Sequence, residues 1–186
     1  MKNLFALSAA FVCLMFIAAC DGHKARQVSY EKIDFRTTDD SEMFFKNLRQ
    51  YYYENEIMDS AGLVQLRLKE RVTDGDRPLI NLMIVNNWRL DRAYLFVEPE
   101  GRLSGLDTLK VQWKNPETGE TGLYTHAKSN VREQLAFATA LYSSVQQGYA
   151  LQAITPADTL PVLDTEAERE AFRVTMVDFF RLVNAL

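Results

Sequence analysis

Cysteine is nearly missing from this chain. Cys13 and Cys20 are the only two among 186 residues, and none follows position 20. Residues 21–186 therefore offer no disulfide scaffold, no cysteine zinc site and no cysteine nucleophile. Histidine is equally scarce, with His23 and His126 alone. Neither belongs to a His-x-x-x-His or Glu-x-x-His pattern, so no spacing announces a zinc pair, and His126 reads first as a polar strand residue beside a turn. No Gly-x-Ser-x-Gly elbow frames a serine, Ser104-Gly105 and Ser143-Ser144 included. No glycine-rich phosphate loop occurs, since Gly119 and Gly122 suit a hairpin. Asp74-Gly75-Asp76 lacks the remaining ligands of a calcium loop and reads as a turn. No metal or cofactor is expected. Excess positive charge is missing too: 21 Lys and Arg stand against 25 Asp and Glu, for a formal charge of −4. A mildly acidic balance argues against nucleic acid as the main partner and against a polybasic membrane-binding face.

What is present begins at the N-terminus. From Leu4 to Ala19 every residue except Ser8 is apolar, behind a lone Lys2. A charge, an apolar core and then small residues is the plan of a secretory signal peptide. A spanning helix needs roughly 20 apolar residues, and this stretch holds fewer, with no stop-transfer pattern behind it. Residues 1–19 are expected to be a signal peptide. The competing reading is a retained transmembrane anchor or a buried core helix.

Ile17-Ala18-Ala19-Cys20 resembles the lipobox of bacterial lipoprotein precursors: an aliphatic residue, two small residues, then cysteine. The resemblance implies that the Cys20 thiol carries diacylglycerol, that cleavage falls before Cys20, and that the new amine is acylated. One acyl chain holds a protein only marginally at a membrane, whereas two or more anchor it. Residues 20–27 are then a lipidated tether. Asp21 resembles the inner-membrane retention signal of enteric-type bacteria, but it also suits a solvated linker, so inner and outer membrane both stay open.

Residues 28–186 read as one domain. Val28–Phe35 is a weakly alternating first strand. Thr37-Thr38-Asp39-Asp40-Ser41 offers caps, with Asp39 and Glu42 in capping-box spacing, before a helix over about 40–57 that carries Phe44, Leu48, Tyr51 and Tyr52. Leu63–Val72 alternates as a half-buried strand, with Val64, Leu66, Leu68 and Val72 opposite Gln65, Arg67, Lys69 and Arg71. Leu79–Val85 is apolar on both parities, Asn86-Asn87 breaks it, and Arg92–Glu98 alternates again until Pro99-Glu100-Gly101. Leu109, Val111 and Trp113 alternate before the turn Asn115–Gly119, and Gly122–Ala127 returns as a hairpin. Val131, Leu135, Ala138, Leu141 and Val145 follow helical spacing behind Asn130 and Glu133, stopping near Gly148. Tyr149–Ile154 is one more strand and Pro156–Pro161 a loop. Thr165 and Glu168 then cap a last helix whose stripe is Phe172, Met176, Phe179, Val183 and Leu186. Strands in the middle with helices before and after give an α+β domain: an antiparallel sheet of about five or six strands packed by about three helices in two layers.

The aromatic residues are the most informative candidates for a site. Three consecutive helical residues cover about 200° of the circumference, so Tyr51, Tyr52 and Tyr53 cannot all be buried on one helix. Trp88-Arg89 sits in a break between strands, where recognition residues gather. Trp, Tyr and Arg dominate contact hot spots, which makes these five residues candidates for partner binding. The bland alternative is that the rings cap the sheet or seal its edge. Carboxylates such as Glu98 and Glu100 could serve a glycosidase only at a set separation with one raised pKa, which sequence does not supply.

The stretches FRTTDDSEMFFKNLRQYYYENE and INLMIVNNWRLDRAYLFVEP resemble those of uncharacterised lipoproteins of the Bacteroidota. That likeness implies a lipoprotein sorted by signals other than Asp21, and no particular activity. The leading expectation is a non-enzymatic binding or accessory module, held at the cell envelope by lipid on Cys20, with an envelope protein as partner. The alternatives are a small envelope hydrolase using carboxylates or His126, and a structural component of an envelope complex.

Overall fold

The computed structural model describes residues 30–127 and 130–186. The expected signal peptide, Cys20 and the tether lie outside them. The domain is α+β, with two four-stranded antiparallel sheets where sequence pattern suggested one larger sheet. The first sheet runs in chain order through β1 (Tyr53–Met58), β2 (Leu63–Leu68), β3 (Pro78–Asn87) and β4 (Arg92–Gly101). The second comprises β5 (Thr108–Lys114), β6 (Thr121–Ala127), β7 (Ala150–Ile154) and β8 (Thr159–Pro161), in the order β6-β5-β7-β8. Three α-helices complete the domain: α1 (Asp39–Phe44), α2 (Val131–Gln146) and α3 (Glu166–Leu182).

Two sheets form because the outer edge of β4 is already occupied. Ala93 N–H donates to the Phe35 carbonyl and Thr37 N–H to the Asp91 carbonyl. Further along, Val97 N–H donates to the side-chain oxygen of Gln134 on α2, at 3.0 Å. With those donors taken, β5 cannot extend the ladder. The chain leaves β4 at Gly101, whose φ of +57° turns it away. A Cβ there would lie 1.9 Å from the Arg77 carbonyl oxygen, so only glycine fits.

One apolar cluster joins the layers. Leu66, Leu82, Ile84 and Leu95 point from the first sheet toward the helices, in the register that pairs Leu66 with Ile84 and Ile84 with Leu95. Helix α3 packs on β3 and β4, while α2 crosses from β4 to β6 and β7. On the second sheet Leu109, Val111, Leu151 and Ala153 face inward, and Lys110 and Lys114 face solvent. Asn130 caps α2 by accepting from Arg132 and Glu133 N–H, and Thr165 caps α3 by accepting from Glu168 N–H. The capping box of α1 lies one residue earlier than expected, with Thr38 and Ser41 bonding each other's backbone.

The helix expected over 40–57 is the largest local correction. Helix α1 ends at Phe44, a π-helical turn follows over Phe45–Arg49, and Gln50–Tyr52 is a 3-10 turn. Tyr53–Met58 is then strand. Its period of two, Tyr53, Asn55 and Ile57 against Glu54 and Glu56, is realised because Glu54 and Glu56 meet Arg71 and Arg67 on or beside β2. Other boundaries shift for local reasons. Strand β2 stops at Leu68, where Arg71 N–H turns back to the Leu68 carbonyl. Asn86 and Asn87 stay within β3, and the break falls at 88–91. Strand β4 runs on through Pro99, which an outer strand tolerates. The described part of the expected first strand, residues 30–35, is a 3-10 turn, Tyr30–Lys32, followed by irregular chain, and the expected loop 156–161 ends in β8. No helix of the described residues is long and apolar enough to cross a membrane.

Candidate functional site

The π-helical turn aims Arg49 inward. Its Nε–H is shared between the two Asp178 carboxylate oxygens, at 2.8 and 2.9 Å, and Tyr53 donates to Oδ2 at 2.8 Å. Asp178 and Tyr53 are 2% and 1% exposed, so the carboxylate has left water with hydrogen bonds to both oxygens, while Arg49 keeps a quarter of its side chain in solvent. Burial, then the charge and hydrogen bond of Asp178, hold the Tyr53 phenol protonated far above its ordinary range. Such a phenol does not titrate as a base, and its carboxylate partner is fully engaged. A cleft of about 340 Å³ opens beside this knot, lined in part by Arg49, Tyr52, Glu70, Glu170 and Val174. Of its charged lining, Arg49 is bound to Asp178 and Glu170 to Arg173.

The five aromatic and arginine candidates divide between two ends of the first sheet. Tyr51 is 80% exposed, Tyr52 45% and Tyr53 fully packed, so one ring of the three is core. Tyr51 and Tyr52 meet edge to face at 5.7 Å. Each also carries a cation: Lys69 Nζ lies 4.7 Å from the Tyr51 ring and the Arg49 guanidinium 4.8 Å from that of Tyr52. Trp88 and Arg89 lie at the opposite end, because β2 pairs Leu68 with Tyr53 at one terminus and Leu63 with Asn87 at the other. Arg89 stacks on Trp88 and donates to the Asp59 and Ser60 carbonyls, at 2.9 and 3.2 Å, tying two turns together. The structure does not bring the tyrosines and the Trp88-Arg89 pair together.

Glu98 is held by Arg67, whose Nη2 and Nε reach it at 2.7 and 2.8 Å, and that carboxylate raises the arginine's pKa further. Glu98 is thus the anchor of a cross-strand ion pair. Asp74 accepts from Asp76 N–H in the expected turn. Among the described residues no group of three or more His, Cys, Asp or Glu is placed to hold a metal ion.

His126 lies in a second cleft, an open groove of about 330 Å³ between β6 and α2. Its ring is 7% exposed and stacks on Phe137, with centroids 4.9 Å apart and planes 25° off parallel. Burial lowers its pKa from 6.5, against an opposing pull from the charge of Glu133. The groove runs along residues 123–127 of β6 on one side and Glu133, Ala136, Phe137 and Ala140 of α2 on the other. Those helix positions are i, i+3, i+4 and i+7, a single stripe. Small Ala136 and Ala140 leave the space, while Tyr124 is turned inward to Ser144 Oγ at 3.0 Å. No protein-family model, curated protein or solved structure matches the chain.

Sequence reasoning found His126 but not the stripe that faces it. The alanines carry no chemical signal, and Glu133 reads as a capping residue. Arg49 and Asp178 are 129 positions apart, and nothing local ties them.

Proposed function

We propose that the protein is a lipid-tethered, non-enzymatic binding module of the cell envelope, with the groove between β6 and α2 as its recognition surface. The observation that carries the binding half of this reading is the groove of about 330 Å³ itself, walled by β6 and by the Glu133, Ala136, Phe137 and Ala140 stripe of α2. The anchor half rests on the lipobox-like Ile17-Ala18-Ala19-Cys20 and on a domain whose acidic charge does not itself attract a membrane. The hydrolase alternative needs a base free to move protons between reacting groups. His126 is stacked flat on Phe137 instead, and the neighbouring Tyr124 hydroxyl is committed to Ser144. The exposed Tyr51-Tyr52 pair supports a second contact with the same or another envelope partner.

The test is photo-crosslinking in intact cells, from a photoreactive residue placed at Ala140 in the α2 wall of the groove or at Lys110 on the solvent face of β5. A saturable adduct with one envelope component from Ala140 and none from Lys110 is expected. Absence of any Ala140 adduct, together with turnover of ester or glycoside substrates that His126→Asn abolishes, would replace this reading with the hydrolase.

A further inference from the structure

We infer that the groove takes an extended, basic polypeptide segment of a partner protein as an added strand on β6. This rests on the reading that the groove is the recognition surface, and it names the ligand class. The described residues have four sheet edges. The edge at β1 carries Glu54 and Glu56, and charge on an edge discourages pairing. The edge at β4 is covered by residues 35–37 and by Gln134. The edge at β8 is three residues long and ends in Pro161. Strand β6 has none of these protections: Thr121–Ala127 is seven residues long, without charged residue or proline.

The ladder shows which groups the open edge presents. Asn115 N–H donates to the Glu120 carbonyl at the hairpin end. Backbone direction alternates along a strand, so Gly122, Tyr124 and His126 turn their N–H and C=O toward β5. Thr121, Leu123, Thr125 and Ala127 turn theirs outward. Among the described residues these four make no other backbone hydrogen bond. An added strand pairs with them, and every second side chain of that strand then faces α2. There it meets the Ala136, Phe137 and Ala140 stripe, which gives an apolar seat to alternate residues. Main-chain pairing supplies affinity and such seats supply selectivity in strand addition generally. The sign of the ligand follows from Glu133, the one carboxylate in the lining, beside a His126 whose pKa burial lowers. A lysine or arginine flanking the apolar residues complements it.

The experiment uses the full chain in mild detergent and a displayed library of random linear twelve-residue peptides. Enriched peptides are expected to alternate apolar residues beside Lys or Arg. They should slow amide exchange at Thr121, Leu123, Thr125 and Ala127. Thr125→Pro removes an outward N–H while leaving the β5 ladder whole, and it should weaken binding about tenfold. Ala140→Trp fills the groove from α2 without touching β6, and should weaken binding comparably if the proline variant fails to fold. Failure to enrich any peptide, or unchanged affinity in a folded variant, overturns the inference. Groove binding without protection of the four amides overturns strand addition yet leaves the recognition surface standing. Self-association abolished by Thr125→Pro assigns the edge to a second copy of this chain and overturns the partner segment.

Discussion

Tyr53 at the start of β1 and Asp178 on α3 are joined by a 2.8 Å hydrogen bond across 125 residues of sequence. Arg49 closes the same carboxylate from the π-helical turn. This pair ties the edge of the first sheet to the helix layer, and removing Arg49 leaves the buried Asp178 charge without its counter-ion. Arg49→Ala is expected to destabilise the domain by about 3–5 kcal/mol. Tyr53→Phe, which removes one donor and keeps the ring, is expected to cost about 1–2 kcal/mol. Urea midpoints at constant m-value measure both. Equal, negligible losses in the two variants would show that the knot contributes nothing.

His126 makes stability depend on pH in a defined direction. Its folded pKa is lowered from the ordinary 6.5, so the unfolded chain binds the proton more readily. The contribution is complete above about pH 6.5 and declines as pH falls below that value. His126→Phe should flatten this part of the profile. Glu133→Gln should steepen it, because the carboxylate's charge is what opposes the lowering. Urea unfolding between about pH 7.5 and pH 5 reads the slopes. A wild-type domain that gains stability on acidification through this range would contradict the assignment.

Gly101 is required by geometry. Gly101→Ala combines a positive φ with a Cβ 1.9 Å from the Arg77 oxygen, and should cost more than about 1 kcal/mol. Gly75, with nothing within 4 Å of its added Cβ, is the control, and Gly75→Ala should stay within about 0.5 kcal/mol. Thermal melts of the two variants side by side decide it.

Arg89 and Tyr51 separate packing from recognition. Arg89→Ala releases the turns at 59–62 and 88–91, so faster amide exchange is expected there, with a global loss of about 1 kcal/mol. Tyr51→Ala should leave stability within about 0.5 kcal/mol, because four-fifths of the ring's residue is in solvent. A large loss from Tyr51→Ala would make that tyrosine structural.

Elements with strong local signals were legible in the sequence. The alternation of Leu63–Leu68, the Asn115–Gly119 turn, and the Asn130 and Thr165 caps all lie where pattern placed them. Phe45–Met58 was not legible, since Tyr51-Tyr52-Tyr53 suits a helix by spacing. Its strand register is imposed by Arg67 and Arg71 across the sheet and by Asp178 far along the chain. The split into two sheets was equally hidden, because Gln134 capping β4 is a tertiary event between a helix residue and a backbone amide. Of the site, His126 was visible as a residue, while the Ala136 and Ala140 space opposite it was not.

The tether is tested by metabolic labelling with a radioactive fatty acid, followed by membrane fractionation, in cells expressing the wild-type chain or Cys20→Ala. The lipid-tethered reading predicts label and membrane recovery for the wild type, and loss of both in Cys20→Ala. Unchanged labelling and membrane recovery in Cys20→Ala would contradict it.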